Sequence, residues 1–238
     1  MSGILALAGS SAFAQVLTHD YHLNNTLADS LGGPALVGLG GTVSPTGYAF
    51  GADQGLSLSS AINANNYSIE VDFSLDTTGG YRKIVDFKNL TSDNGVYNLN
   101  TDVNFYNQSF SGAGVIPTAT PVDLIITRDG ASGLLEGYIN GTPEISFNDL
   151  ALQQATFSGP NNIINFFVDD FDTGQGEASG GDVTRIKIWD GALTADQVES
   201  GQLPGRGGVP DMPCTAGLMS VAMAGVAALK RFANRPSR

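Results

Sequence analysis

One segment in the middle of the chain alternates strictly between apolar and polar side chains, and this pattern limits what the chain can fold into. Every second position of segment 67–76 is apolar: Tyr67, Ile69, Val71, Phe73 and Leu75. Side chains that alternate with a period of two point to opposite faces of an extended β-strand. The segment therefore predicts a half-buried strand, with one face in a core and one polar face toward solvent.

Shorter runs rich in β-branched and aromatic residues recur along the chain, separated by turn residues. They predict further strands at 17–23, 47–50, 83–87, 96–99, 103–106, 122–128, 134–139, 145–147, 163–168 and 183–189. Asn140-Gly141 is a strong hairpin signal, and Thr194 is a suitable N-cap for one short helix. Many strands with little helix predict an all-β fold, an antiparallel β-sandwich that forms one domain over residues 15–203.

Four groups of residues follow one another along the chain in a recognisable order. They are Asp20-Tyr21 with 27–30, then Tyr67-Ser68-Ile69-Glu70, then Arg128-Asp129-Gly130 leading to 137–141, then 183–190 leading to Ala192-Leu193-Thr194. In this order and spacing they resemble the laminin-G-like, concanavalin A-like domains of bacterial surface proteins. The resemblance covers nearly the whole body of the chain and implies a jelly-roll sandwich. That fold hosts lectins, glycan hydrolases, adhesion modules and inert spacers, so it does not name an activity.

The first 14 residues have features of an export signal. A short apolar run at 4–8 is followed by Ala12-Phe13-Ala14, which has the small-x-small form of a signal-peptidase cleavage site. No Lys or Arg precedes the run, and the run is shorter than a usual apolar core. We therefore interpret residues 1–14 as a truncated signal peptide that is cleaved after Ala14, and we expect the true start to lie upstream.

The C-terminal end has the order of a sorting signal. A Gly- and Pro-containing linker, 204–215, includes Val209-Pro210-Asp211 and precedes a hydrophobic segment, 216–229, and a basic tail, 230–238. The hydrophobic segment is shorter than the roughly 17 to 25 residues of a membrane-spanning helix, which favours transient membrane association. This order resembles the PEP-CTERM signals that exosortase-type enzymes read in Gram-negative bacteria, although Met212-Pro213-Cys214 departs from the usual residues.

The charge of the chain argues against some classes of partner. It has 11 basic and 23 acidic residues, a formal net charge of −12, and five of the basic residues lie beyond residue 205. The predicted domain is thus strongly acidic and would be repelled by a phosphate backbone, so nucleic acid is not an expected partner. The one cysteine, Cys214, lies in the tail, and the domain is expected to depend on its hydrophobic core.

An acidic loop follows the predicted strand at 163–168. Asp169, Asp170 and Asp172 come directly after that strand, and Glu177 follows in a segment that contains glycine. Four carboxylates in such a loop supply the hard oxygen ligands that Ca²⁺ prefers, and the cation would offset their mutual repulsion. The arrangement also resembles an acidic loop in bacterial relatives of this domain. We predict a Ca²⁺ site here, with a solvated acidic loop as the alternative.

Three carboxylates near the alternating strand could serve glycoside hydrolysis. Retaining glucanases of the same fold carry a Glu-x-Asp-x-x-Glu array, sometimes with one residue inserted, in which Glu70 and Asp72 would match the nucleophile and helper positions. The acid position would be Asp76, whose side chain would hold the proton about one methylene away from where the reaction needs it. The one Trp, Trp189, lies in a run that predicts core, so it offers no platform for a sugar.

Together these features predict an exported, non-enzymatic protein of the cell surface or extracellular matrix of a Gram-negative-type bacterium. Its sandwich is expected to bind a polysaccharide, a glycoprotein or another extracellular polymer, with Ca²⁺ in the acidic loop. Two alternatives stay open: a structural spacer without a small ligand, and a glycan hydrolase that uses Glu70. His19 and His22 should point to opposite faces of a strand and not form a metal pair.

Overall fold

A computed structural model of the chain describes residues 15–157 and 161–205. The predicted cleavage residues Ala12 and Ala14 lie outside the described residues. So do the predicted sorting motif Val209-Pro210-Asp211, the hydrophobic segment and the basic tail. In the part of the chain that is described, no helix is both long enough and apolar enough to cross a membrane.

Eight of the described strands form one antiparallel sheet, here called sheet A. They are β1 (Val16–Tyr21), β3 (Thr42–Ser44), β4 (Gly47–Phe50), β6 (Tyr67–Leu75), β11 (Val122–Arg128), β12 (Leu134–Ile139), β13 (Thr142–Asn148) and β15 (Gly181–Asp190). Their order across the sheet is β13-β12-β11-β6-β15-β4-β3, and β1 pairs with the second half of β15. The strand predicted from the alternation, β6, therefore lies in the centre of the sheet.

Seven further strands form a second antiparallel sheet, here called sheet B. They are β2 (Val37–Leu39), β5 (Gly55–Leu58), β7 (Tyr81–Asp86), β8 (Gly95–Leu99), β9 (Asp102–Phe105), β10 (Ser109–Phe110) and β14 (Ile164–Phe166). Their order is β10-β9-β8-β7-β14-β5-β2, so four consecutive strands, β7 to β10, form a meander. Short connections between antiparallel neighbours are the usual reason for such a meander.

The main core lies between the facing sides of the two sheets. The apolar side chains of β6 point into it and are at most 1% exposed: Tyr67, Ile69, Val71, Phe73 and Leu75. Phe167, next to β14, stacks on Phe50 of β4 with ring centroids 4.3 Å apart, which joins the two sheets. Burial of one such side chain contributes about 1.5 to 3 kcal/mol. The prediction of an all-β antiparallel sandwich is confirmed.

The hairpin predicted at Asn140-Gly141 joins β12 to β13. Both residues have positive φ, 51° for Asn140 and 76° for Gly141. A type I′ turn requires this geometry at both central positions, and Asn and Gly adopt it at low cost. Ile139 pairs with Thr142 across the turn. The hairpin prediction is confirmed, and the turn sets where β13 begins its pairing with β12.

A smaller apolar cluster lies on the outer face of sheet A, beside a short helix. Helix α1 (Ala195–Ser200) begins after Thr194, which forms a capping box with Gln197 and is the N-cap that was predicted. The buried members of the cluster are Leu17, Ile125, Tyr138, Trp189, Leu193 and Val198. Trp189 is thus buried as predicted, but it lies in this outer cluster and not in the core between the sheets.

The second face of β6 is less exposed than its polar residues predict. Ser68 is 0% exposed and Glu70 is 6% exposed. The hydroxyl of Ser68 donates to the carbonyl of Gly191 at 3.0 Å and accepts from the backbone N–H of Leu193 at 2.8 Å. The segment that leads into α1 therefore covers this end of the strand. The expectation of a solvent-facing polar side is wrong for the first half of β6, because a later part of the chain packs over it.

Both ends of the described body meet the same end of β15. In β1, Val16 is the register partner of Asp190, the last residue of β15. Near the other end, the indole N–H of Trp189 donates to the carbonyl of Pro204 at 2.8 Å. The N-terminal strand and the C-terminal segment therefore leave the sandwich from neighbouring points.

Candidate functional site

The acidic loop predicted to bind Ca²⁺ packs against the side of sheet B that faces away from the core. The backbone N–H of Lys83 in β7 donates to the carbonyl of Glu177 in the loop at 2.8 Å. The backbone N–H of Phe171 donates to the carbonyl of Leu90 at 3.1 Å. Within this loop Asp169 and Asp170 are 0% exposed. Two buried carboxylates need partners, because an unpaired buried charge is very costly.

Asp170 forms an ion pair with a lysine of sheet B. The Nζ of Lys83 lies 2.7 Å from Oδ2 of Asp170, and both side chains are 0% exposed. The hydroxyl of Tyr97 donates to the same oxygen at 3.2 Å, and the backbone N–H of Asp172 donates to Oδ1 at 2.9 Å. Burial acts to raise the pKa of Asp170, but the hydrogen bond from Lys83 and the other donors outweigh burial and hold it below its usual value.

Asp169 has one satisfied and one unsatisfied carboxylate oxygen. Its Oδ2 accepts from the hydroxyl of Thr173 at 3.0 Å and from the backbone N–H of Glu177 at 2.8 Å. Its Oδ1 is buried without a hydrogen-bond partner among the described residues. Such an oxygen is costly to leave unpaired, and a hard cation would satisfy it. One atom of the predicted ligand set therefore suits Ca²⁺.

The four predicted Ca²⁺ ligands do not converge in the described structure. Among the described residues, no three of Asp169, Asp170, Asp172 and Glu177 bring carboxylate oxygens within 4.8 Å of one another. Asp170 is occupied by Lys83, and Asp172 is exposed. Bringing these groups around one ion would require the loop to rearrange. The Ca²⁺ site stays a prediction.

Asp93, which lies outside the loop, and Glu177 of the loop add carboxyl groups near the Lys83–Asp170 pair. Burial raises the pKa of Asp93, and the neighbouring charge of Asp170 raises it further. Burial likewise raises the pKa of Glu177, with an added contribution from Asp169. Crowding of like charges away from water favours the protonated form of such groups. The region around Lys83 therefore contains more carboxyl groups than one ammonium can neutralise.

Three tyrosines that the sequence analysis did not single out lie beside these carboxylates. The ring of Tyr81 meets those of Tyr97 and Tyr106 edge-on, with centroids 5.6 and 5.8 Å away. Tyr97 is buried, whereas Tyr81 and Tyr106 are half-buried. Burial raises the pKa of Tyr81, and Tyr106, Glu177 and Asp93 raise it further, so all four groups lie within electrostatic range. Tyr81, Tyr97, Tyr106, Asp93 and Glu177 are called the tyrosine–acid site below.

The meander of sheet B brings these tyrosines together. Tyr81 and Lys83 lie two residues apart in β7, and Lys83 is the register partner of Tyr97 in β8. Tyr106 follows β9, and its backbone N–H donates to the carbonyl of Gly95 at 3.0 Å. A register shift between Lys83 and Val85 interrupts the regular pairing of β7. Such an irregularity re-aims the side chains beside it, which a strict alternation would not predict.

A second acidic cluster lies on the outer face of sheet A. Oxygens of Glu70 and Asp72 in β6 and of Asp123 in β11 lie within 4.8 Å of one another. Asp123 is the register partner of Asp72, and Lys187 in β15 is the register partner of Glu70. The Nζ of Lys187 lies 2.6 and 2.8 Å from the two oxygens of Glu70. A divalent cation at this cluster would have to compete with that ammonium.

The charge of this second cluster is only partly balanced. Burial, and then the charges of Glu70 and Asp72, raise the pKa of Asp123 to about 7. Its Oδ1 has no hydrogen-bond partner among the described residues. Arg185 forms its own pair with Asp20, with Nη2 2.8 Å from the carboxylate. The cluster therefore favours a proton on Asp123.

Asp76 does not join Glu70 and Asp72. Strand β6 ends at Leu75, and the backbone N–H of Asp76 donates to the carbonyl of Gly180 at 2.8 Å. Four residues of extended chain span about 13 Å, so Asp76 lies far from Asp72. The third carboxylate beside Glu70 and Asp72 is Asp123, which comes from a neighbouring strand. The sequence analysis missed it, because strand register cannot be read from the spacing within one strand.

Two other features complete the set of candidate sites. His19 lies 2.8 Å from Asp29, and His22 lies 3.4 Å from Asp20, so the two histidines contact different carboxylates. At one end of the sandwich, beside the Asn140-Gly141 turn, there is an open depression of about 290 Å³ that includes Glu144. No aromatic side chain lines the depression among the described residues. Neither feature offers as many recognition groups as the tyrosine–acid site.

Comparisons with family models and with curated proteins find no match, whereas several solved structures are similar in fold. Domain 4 of an extracellular arabinanase from Geobacillus stearothermophilus, in complex with arabinotriose, has a TM-score of 0.55 and 19% identity, covering 78% of this chain and 98% of that chain. The binding domain of botulinum neurotoxin serotype D has a TM-score of 0.55 and 13% identity, covering 78% and 51%.

Trypanosoma rangeli sialidase is also similar, with a TM-score of 0.53 and 10% identity, covering 77% of this chain and 32% of that chain. This chain thus spans almost all of the arabinanase domain, about half of the toxin domain and about a third of the sialidase. At these low identities the similarities establish the β-sandwich fold and no function.

Proposed function

We propose that this protein is an exported, non-enzymatic module of the cell surface or extracellular matrix that binds carbohydrate through the tyrosine–acid site. The finer assignment, a laminin-G-like jelly roll with signal peptide and exosortase-read sorting tail, is part of the same proposal. The observation that carries it is the contact between the half-buried rings of Tyr81 and Tyr106, 5.8 Å apart, beside carboxyl groups. That the solved arabinanase domain was in complex with arabinotriose agrees with this choice of ligand class.

The chemistry of the tyrosine–acid site suits a sugar. An aromatic ring offers a flat apolar surface to the C–H face of a sugar ring, and its hydroxyl offers a polar end. Carboxylates accept hydrogen bonds from sugar hydroxyls and fix their orientation. Asp93 and Glu177 supply such acceptors within electrostatic range of Tyr81. Because the body is strongly acidic, neutral or amino-sugar-containing polymers are the preferred class over acidic ones.

A binding role is favoured over glycoside hydrolysis. The retaining mechanism needs a carboxylate that is free to attack the sugar and a second one that donates a proton. Both carboxylate oxygens of Glu70 accept hydrogen bonds from Lys187, and Glu70 is only 6% exposed to solvent. A sugar could not approach that carboxylate without displacing Lys187. Glu70 is better described as an ion-pair partner within sheet A.

Loss of the two half-buried rings is expected to weaken glycan binding by about tenfold or more, since about 1.4 kcal/mol of lost contact corresponds to that factor. The variant is Tyr81→Ala combined with Tyr106→Ala. Binding is measured on a glycan array and then by calorimetry with the glycan that binds best, using arabino-oligosaccharides and neutral exopolysaccharides as probes. The matched control is Phe110→Ala, which removes a 53% exposed aromatic ring from β10 of the same sheet.

Equal affinity in the double variant and the wild type would place the ligand elsewhere on the protein. No binding by the wild-type protein to any glycan would instead favour the spacer role. The thermal unfolding transition of each variant shows whether that variant is folded. A loss of binding by a folded variant can then be assigned to the removed rings.

The Ca²⁺-assisted part of the proposal rests on the unpaired Oδ1 of Asp169. We expect Ca²⁺ at about ten times its dissociation constant to raise the melting temperature by about 3 °C or more, because a ligand that binds only the folded state stabilises it. Asp169→Asn should remove this increase, and Glu144→Gln, which deletes the same charge from sheet A, should keep it. Differential scanning calorimetry with Ca²⁺ or EDTA measures both. An unchanged melting temperature in the wild-type protein would exclude Ca²⁺ from the site.

A further inference from the structure

Lys83 and Asp170 bring an amine and a carboxyl group into contact at a buried position. Their side chains come from β7 and from the acidic loop, 87 residues apart in sequence, and Nζ lies 2.7 Å from Oδ2. Both side chains are 0% exposed. The ring of Tyr97 lies over the ammonium, with its centroid 4.3 Å from Nζ. An amine held this close to a carboxyl group has a very high effective concentration, and the absence of bulk water opposes hydrolysis of the product.

From this geometry we propose that Lys83 and Asp170 form an intramolecular amide bond that covalently links the acidic loop to β7. The reaction would be autocatalytic and would need no cofactor, because a lysine amine is a nucleophile once it is deprotonated. The reaction shares Asp93 and Tyr97 with the tyrosine–acid site, but it does not require carbohydrate to bind.

The atoms of this reaction balance. One proton passes from the ammonium of Lys83 to the carboxyl groups around it, which leaves a neutral amine and a protonated Asp170. The Nζ lone pair attacks Cγ of Asp170, and the N–C bond forms. The C–Oδ2 bond then breaks, and Oδ2 leaves as water with two hydrogens that came from the ammonium. The product is a neutral amide, and no oxidant or reductant takes part.

Asp93 is suited to move the protons. Its carboxyl group lies close enough to Asp170 for the two charges to interact, and its Oδ1 is buried without a hydrogen-bond partner among the described residues. Burial and the charge of Asp170 raise its pKa, so it can accept a proton from the amine and return it to the leaving oxygen.

Two donors around Asp170 fit the charge that develops during the reaction. The backbone N–H of Asp172 donates to Oδ1 at 2.9 Å, and this oxygen would carry the negative charge of the tetrahedral intermediate. The hydroxyl of Tyr97 donates to Oδ2 at 3.2 Å, which is the oxygen that leaves. Each oxygen of Asp170 therefore already has the donor that its role requires.

The other close ion pairs lack one of these conditions. Arg128 is paired with Asp149 in an equally buried site, but a guanidinium does not lose its proton in proteins and is not a nucleophile. Lys187 contacts Glu70, but its side chain is 14% exposed, so water is nearby. Among the described residues, a fully buried amine–carboxylate pair with a further carboxyl group nearby is found at Lys83. The Lys187–Glu70 pair, which lacks full burial, therefore serves as an internal control.

Intact-mass spectrometry of the full chain tests the proposal directly. We expect the folded wild-type protein to be about 18 Da lighter than its sequence mass, which is the loss of one water. Lys83→Arg and Asp93→Asn should each show the full mass, whereas Lys187→Arg should keep the deficit. Asp170→Asn should lose about 17 Da instead, because the leaving group is then ammonia. A protease digest should contain one branched peptide that joins Lys83 to Asp170.

Dehydration of another aspartate to a cyclic imide would also remove one water, but Lys83→Arg would not restore that mass, and no branched peptide would form. Such a result would overturn the proposal. A full mass in wild-type protein that shows a cooperative thermal transition, after prolonged incubation at neutral pH, would overturn it as well. Lys83→Arg could fail to fold because it changes a buried ion pair. Asp93→Asn leaves the Lys83–Asp170 pair in place, so it provides a second test, and the same thermal transition shows that it is folded.

Discussion

Replacement of Asp149 by alanine is expected to lower the free energy of unfolding by about 3 to 5 kcal/mol, because it leaves a buried guanidinium without its carboxylate partner. The Nε of Arg128 lies 2.9 Å from Oδ2 of Asp149, and the two side chains are 1% and 0% exposed. The same carboxylate accepts backbone N–H groups of Gln154 at 2.7 Å and Ala155 at 3.1 Å. One substitution therefore removes the carboxylate that contacts one buried charge and two backbone N–H donors.

Urea unfolding followed by circular dichroism measures this loss. The matched control is Arg185→Met, which breaks the pair with Asp20 at a position where the arginine side chain is 36% exposed. The arginine of this pair is more accessible to water than Arg128, so the control should lose less stability than Asp149→Ala. If Asp149→Ala and Arg185→Met lose the same small amount, the Arg128–Asp149 pair is not the anchor that its burial indicates.

Replacement of Asp123 by asparagine is expected to have the opposite effect and to stabilise the protein at pH 8 by about 2 to 4 kcal/mol. The pKa of Asp123 is raised to about 7 in the folded state by burial and by Glu70 and Asp72. In the unfolded chain an aspartate has a pKa of about 3.9. The folded state therefore binds the proton more tightly, and removing that proton at high pH costs stability.

The pH dependence follows from these two pKa values. The wild-type protein has its full contribution from Asp123 below about pH 4, and this contribution is lost as the pH rises toward the folded-state pKa of about 7. Asparagine does not ionise, so Asp123→Asn should match the wild type near pH 4 and exceed it at pH 8. Urea unfolding at both pH values measures the difference.

Asp129→Asn is a control of opposite sign. The pKa of Asp129 is lowered, chiefly by the hydrogen bond from the backbone N–H of Ser132. Its contribution is therefore present above about pH 4 and is lost as the pH falls. Asp129→Asn should be less stable than the wild type at pH 8 and equal to it at low pH. A gain of stability in both variants at pH 8 would point to general relief of negative charge instead of the cluster around Asp123.

The fold could be predicted largely because a long strand with one buried face alternates apolar and polar side chains with a period of two. Strands β4, β11 and β12 have the predicted bounds, and the other strands that were predicted overlap their predicted ranges. The strands that escaped prediction are short: β2 and β3 have three residues each, β5 has four and β10 has two. Segments of this length have too few side chains for an alternation to stand out from a loop. Their pairing depends on neighbours that are distant in sequence.

The site was predictable in composition but not in its contacts. The acidic loop was recognised from the order of its carboxylates, yet its partner Lys83 lies 87 residues away from Asp170. Asp123 reaches Asp72 only through the register of β11 on β6. The tyrosines meet because β7, β8 and β9 form a meander with an irregular register at Lys83. Each contact depends on strand pairing, which a single sequence does not specify.

The neighbouring positions of Val16 and Pro204 at one end of β15 determine how the sandwich would respond to mechanical force. Tension applied between the two ends would pull β1 away from β15 starting at the Val16–Asp190 pair. In an antiparallel ladder loaded in this way, hydrogen bonds break one after another instead of all at once. The sandwich would then peel open at low force from this corner, while the Lys83–Asp170 contact, which lies on the other sheet, would bear no load at first.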